Sequence, residues 1–109
     1  MNDIQALTNK IVAFIKERDW EQFHTPKETA LALLLEASEL NEIFLWKNSY
    51  DFNIDKIKEE LADVFIYSLD LANQLNLDVS DIVTSKIEIN SKKYPVDKCK
   101  GSAKKYNEF

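Results

Sequence analysis

Apolar residues Ile4, Leu7, Ile11, Phe14 and Ile15 recur at three- and four-residue intervals, which predicts an amphipathic helix over about residues 3–18. An aromatic link, Asp19-Trp20-Glu21-Gln22-Phe23-His24, follows. Thr25-Pro26-Lys27-Glu28 then has the form of a capping box with proline at the first helical position, so a second helix is expected to open there and run to about Lys47. Beyond the polar connection 48–53, Ile54, Ile57, Leu61, Val64, Ser68, Leu71 and Leu75 form a third stripe ending near Asn76. Asp78 and Asp81 mark another helix start, and Val79, Ile82, Val83, Ile87 and Asn90 carry a fourth helix to about Tyr94, where Pro95 stops it. The tail from about residue 96 reads as short, irregular and basic. The expectation is an all-α fold, a four-helix antiparallel bundle forming a single domain over residues 1–109.

Composition sharpens that picture. With 1 Gly and 2 Pro in 109 residues, hairpins and β-turns have few of the residues they need. The 45% apolar content supports one small core. Six consecutive apolar residues, Ala30 to Leu35, bury the second helix on more sides than a lone small bundle covers. A homodimer or homotetramer is therefore expected, with an ordinary central core helix as the alternative. The net charge of -5 argues against a nucleic-acid polymer as partner. A single cysteine, Cys99, forms no internal disulfide, and neither a leader peptide nor a membrane-spanning run is recognisable. The default is a soluble, cytoplasmic protein with no membrane partner.

The chemistry lies in acids placed on apolar stripes. At about 100° per residue, Glu36 and Glu39 both fall within about 60° of the stripe formed by Leu33, Leu40 and Ile43. Glu60 and Asp63 do the same on the third helix, beside Ile57, Val64, Tyr67 and Leu71. Two inward Glu-x-x-acid pairs on consecutive helices bring four like charges towards one point, which calls for a cation. All-oxygen ligands suit a hard ion, Mg²⁺ first and Mn²⁺ second. A ferritin-like di-iron bundle needs Glu-x-x-His pairs, and the only histidine, His24, lies outside these helices. The plainer reading puts the acids at the edge of a solvated face. On the fourth helix Lys86, Asn90 and Lys93 share one side at i, i+4 and i+7, suited to phosphate or ribose, or to lysine stems lying along a core edge. Trp20, Phe23 and Trp46 flank the second helix, where such rings stack on a base or pack in a core.

Arg18-Asp-Trp-Glu-Gln-Phe-His-Thr-Pro26, Leu35-Glu-Ala-Ser-Glu-Leu-Asn-Glu42 with Trp46, Glu59-Glu-Leu-Ala-Asp-Val64 and Lys86-Ile-Glu-Ile-Asn-Ser-Lys-Lys-Tyr-Pro95 together resemble the MazG-like nucleoside triphosphate pyrophosphohydrolases. Within that family they look most like the small dCTP pyrophosphatase branch. The resemblance runs from about Arg18 through the tail. It implies Mg²⁺-dependent cleavage of a nucleoside triphosphate between the α and β phosphates, giving a monophosphate and pyrophosphate. By the same resemblance Glu36, Glu39, Glu60 and Asp63 hold the metal. Trp20, His24, Trp46 and Tyr67 line the base pocket, and Lys86, Asn90, Lys93 and Tyr94 form the phosphate and sugar side. One departure is Ser38, where the family often has glycine before its second glutamate.

A carboxylate not consumed by the metal would accept the proton of an attacking water, with Glu36 and Glu39 the catalytic candidates and Glu59 an outside choice. Lys98, Lys100, Lys104 and Lys105 either close on the departing pyrophosphate, with Gly101 allowing a tight turn, or fray in solvent. Two function classes stay open from the residues. One is a hydrolase that cleans nucleotide pools of non-standard or excess triphosphates. The other is a non-catalytic helical oligomerisation or interaction module with a structural cation.

Overall fold

The structure is a computed structural model in which residues 2–46 and 52–103 are described. Every described element is helical. α1 covers Asp3–Glu17, α2 Pro26–Phe44, α3 Ile54–Gln74, α4 Val79–Lys93 and α5 Val96–Cys99, with a single 3-10 turn at Glu21–Phe23. The chain groups into two compact units, Met1–Leu77 and Asp78–Phe109. The first contains α1 to α3 and the second α4 and α5.

Each long helix starts where a side chain supplies the missing acceptor. Asn2 accepts from Gln5 N at 2.7 Å, Thr25 from Glu28 N at 3.2 Å, Asn53 from Asp55 N and Lys56 N, and Asp78 from Asp81 N at 3.0 Å. Only half of the expected capping box forms. Thr25 serves Glu28, but among the described residues no bond returns from the Thr25 amide to the Glu28 carboxylate. α2 ends at Phe44; Lys47, its expected end, and most of the connection after it, 48–51, lie outside the described residues.

The tail departs from the expected irregular chain. Pro95 cannot continue α4, yet its carbonyl accepts from Lys98 N and Cys99 N, both at 3.0 Å, and opens the short α5. The helices among the described residues are thus five, not four. The tail lysines Lys104 and Lys105 lie outside the described residues.

Within the first unit α3 packs against both α2 and α1. α2 and α3 run antiparallel, since Thr29 near the start of α2 bonds Gln74 at the end of α3 and Glu36 further along meets Glu60 and Asp63 earlier in α3. The buried apolar residues are few, Ile15, Leu69 and Ala72, and they share the interior with Thr8, Thr29, Glu60 and Asp70. Leu34 is 63% exposed and Leu35 55%, and Ile82, Val83, Ile87 and Ile89 of α4 are exposed as well. The described residues therefore leave apolar helix faces uncovered, including four of the six residues from Ala30 to Leu35.

The half-formed box makes a contrast testable by urea denaturation at fixed protein concentration. Thr25→Ala removes the acceptor of the Glu28 amide and is expected to cost about 1 kcal/mol, whereas Glu28→Ala, which loses no capping bond, costs a few tenths.

Candidate metal centre and adjoining pocket

Glu36 on α2 and Glu60 and Asp63 on α3 each present one carboxylate oxygen, and these oxygens lie within 4.8 Å of one another. The three-residue spacing of Glu60 and Asp63 puts both on the face of α3 turned to α2. Glu60 is 8% exposed. Oε2 of Glu36 and Oε2 of Glu60 are buried with no hydrogen-bond partner. Lys56 reaches only the other oxygen of Glu60, Oε1, at 3.5 Å from a side chain that is half exposed, so it relieves little of the repulsion.

The Glu36 carboxyl is pushed up to about 7. Burial is the largest cause, followed by a hydrogen bond in which Glu36 keeps the proton against Glu39, and then by the charges of Glu39, Asp63 and Glu60. A group of hard oxygen donors, crowded and partly without partners, has the chemistry of a divalent-cation site. The sequence predicted four ligands; the converging group is Glu36, Glu60 and Asp63. Glu39 is exposed and stands beside it as the partner of Glu36, lining an open cavity of about 450 Å³ with Glu42, Ile43, Lys56 and Glu60. Glu59 is exposed.

A second cavity of about 290 Å³ is lined mainly by Ile11, Phe14, Trp20, His24, Ile66 and Tyr67. Asp19, at φ 55°, turns the chain out of α1 so that Trp20 meets Phe14 edge to face at 5.8 Å. The Arg18 guanidinium lies 3.7 Å from the Phe14 ring centre and donates to the Phe14 carbonyl at 3.0 Å, bracing that wall. Tyr67 belongs to this cavity and also feels the acids. Burial first, then the charges of Glu36, Asp63, Asp70 and Glu39, raise its hydroxyl above the ordinary tyrosine value, so it stays a protonated donor at neutral pH.

His24 is held in the wall. Its Nδ1 lies 2.9 Å from Asp70 Oδ2, which also accepts from Gln74 Nε2 at 3.1 Å, and Gln74 Nε2 donates to Thr29 Oγ1 at 2.8 Å. Asp70, Gln74 and Thr29 escaped the sequence reading. A wheel places Asp70 about 80° from Glu60, outside the stripe, and the one available signal was a carboxylate set between Leu69 and Leu71.

Of the four expected pocket residues, the structure brings together Trp20, His24 and Tyr67. Trp46 stands apart from them, 98% exposed at the end of α2 with φ 64°, a backbone conformation unusual for a bulky residue. Lys86, Asn90 and Lys93 lie on α4 of the second unit and are exposed; Tyr94 caps that helix, half-buried, its amide bonded to the Asn90 carbonyl at 2.8 Å.

The MazG-like family matches residues 31–109 of this chain. The chain is 41% identical over 117 positions to dCTP pyrophosphatase 1 of Mus musculus and 40% identical to that of Homo sapiens, each match covering 100% of this chain and 67% of the relative. Its fold is similar to the crystal structure of a pyrophosphatase from Archaeoglobus fulgidus, with a TM-score of 0.81 and 33% identity over 87% of this chain and 94% of the other.

The raised Glu36 fixes a sign. Its folded value lies above the ordinary carboxylate value of 4.5, so its contribution to stability is present at acid pH and is lost as pH rises through about 7. Without divalent cation, Glu36→Gln should therefore melt at a higher temperature than the wild type at pH 8, the difference vanishing near pH 4. An equal gap at both pH values would contradict the assignment.

Proposed function

The chain belongs to the MazG-like family and is a nucleoside triphosphate pyrophosphohydrolase; we propose that it takes dCTP or a similar triphosphate, uses Mg²⁺, and releases the nucleoside monophosphate and pyrophosphate. The observation that carries this reading is the pair of buried, unpartnered carboxylate oxygens on Glu36 and Glu60, set in a three-acid cluster between α2 and α3, of which α3 also lines an aromatic cavity. A substrate of that shape has a flat base at one end and a polyanion at the other. The 41% and 40% identity to dCTP pyrophosphatases supports cytosine as the base.

Glu36, Glu60 and Asp63 would hold the cation. When bound there, Mg²⁺ neutralises charge on the phosphate oxygens and on the group that leaves. Glu39 lies outside the converging trio and faces an open cavity, so it is the carboxylate placed to take a proton from the water that attacks phosphorus. Attack breaks the bond from the α phosphorus to the bridging oxygen, and pyrophosphate departs with that oxygen. Trp20 offers a stacking face and Tyr67 a hydroxyl donor between base and acids. Lys86, Asn90, Lys93 and Tyr94 are assigned to the phosphate and sugar side on the family resemblance alone.

We assign the protein to nucleotide-pool cleaning in the cytoplasm. No described helix is long and apolar enough to cross a membrane. The exposed Leu31, Leu34 and Leu35 support assembly into a homodimer or homotetramer, the simplest cover for such a face. We also propose that the two units act together as one catalytic domain.

Product analysis tests the reaction. With Mg²⁺ and dCTP the products should be dCMP and pyrophosphate, lost on chelation, and Glu60→Gln should keep its helical circular dichroism while losing at least about a hundredfold in turnover. Orthophosphate as product, or a fully active Glu60→Gln, would overturn it in favour of an interaction module with a structural ion. Light scattering tests the assembly: Leu34→Glu with Leu35→Glu should lower the molar mass to that of a smaller species, and an unchanged mass would remove this face from the interface.

A further inference from the structure

His24 is the chain's one histidine, and the structure uses only one of its nitrogens. Nδ1 is engaged by Asp70 Oδ2 at 2.9 Å. With Asp70 as a carboxylate, which accepts and never donates, the hydrogen of that bond would sit on Nδ1. Asp70 is 4% exposed and Thr29 2%, and the chain Thr29–Gln74–Asp70 fixes the carboxylate from behind through bonds of 2.8 and 3.1 Å. In a neutral imidazole with hydrogen on Nδ1, Nε2 carries the lone pair. No described residue donates to it, and the ring lines the aromatic cavity with Trp20 and Tyr67.

We propose that Asp70 is a positioning residue for base selection: by holding hydrogen on Nδ1 of His24 it presents the Nε2 lone pair to the cavity, which then takes a base with an exocyclic amino group in preference to one with a carbonyl there. This rests on the nucleotide pyrophosphohydrolase reading and assigns its choice of base. A cytosine-type amino group donates to Nε2. A uracil-type carbonyl sets acceptor against acceptor, leaving both without a partner inside a desolvated pocket. The cost falls on one substrate class and not on the other, which separates positioning from general support of the fold.

The test compares kcat/KM for dCTP and dUTP in the full-length protein. Wild type should favour dCTP by about tenfold or more. Asp70→Leu, which frees the imidazole to change tautomer, and His24→Phe, which keeps a ring but no nitrogen, should bring the ratio near one. Asp70→Asn should retain most of it, because one amide oxygen can accept both bonds that Oδ2 now accepts. Equal loss on both substrates in Asp70→Leu and His24→Phe, or a wild-type preference for dUTP, overturns the proposal.

A second readout is independent of turnover and of how well the variants fold. With ¹⁵N-labelled histidine, wild type gives the signals of one imidazole, expected as a protonated Nδ1 and an unprotonated Nε2 whose resonance moves on adding dCTP and not dUTP. Hydrogen on Nε2, or on both nitrogens, contradicts the proposal even in an active enzyme. Absence of turnover on any triphosphate would instead remove the enzyme reading on which it rests.

Discussion

Glu36, Glu60 and Asp63 are driven together by the same antiparallel packing of α2 on α3 that forms the body of the first unit. Two ionised carboxylates at such a spacing repel by about 3 kcal/mol even at an effective dielectric of about 20. Burial first, then the hydrogen bond with Glu39 and the charges of Glu39, Asp63 and Glu60, pushes the Glu36 carboxyl up to about 7, and the proton it keeps relieves part of the repulsion. A protein selected only for stability would replace one of these groups with leucine. A divalent cation in place of the proton would satisfy the buried oxygens that no other described group reaches.

The aromatic cavity depends on the same α3 by a different route. Tyr67, one turn beyond Asp63, has its hydroxyl in the field of the acids and its ring in the cavity wall. Asp70, nearly one turn further, anchors His24 at the loop before α2. Successive turns of one helix thus carry a carboxylate of the acidic cluster, a phenol donor and the support of an imidazole. In the proposed function a single rigid element would face both ends of the nucleotide and fix their separation more closely than loops would.

Much of this was legible along the chain because helices announce themselves by local chemistry. Thr25 and Asp78 cap where the sequence puts them, and the Glu60–Asp63 pair sits on the predicted inner face. A wheel assigns a face and not a depth: Glu39, three residues past Glu36, is exposed and lines an open cavity with Glu60. The Thr29–Gln74–Asp70–His24 chain was hidden, since its partners are 45 and 46 residues apart and no periodicity links them. The half-closed capping box and the short α5 after Pro95 were missed for a simpler reason. Both depend on backbone geometry over three or four residues, finer than a hydrophobic pattern resolves.

In the proposed site a divalent cation would take the place of the Glu36 proton among Glu36, Glu60 and Asp63. Calorimetric titration of the metal-free protein with Mg²⁺ near pH 7, repeated in two buffers of different ionisation enthalpy, counts the protons released on binding. Mg²⁺ should bind with net proton release, and the release should disappear in Glu36→Gln. Binding with no proton release, or release unchanged in that variant, would contradict it.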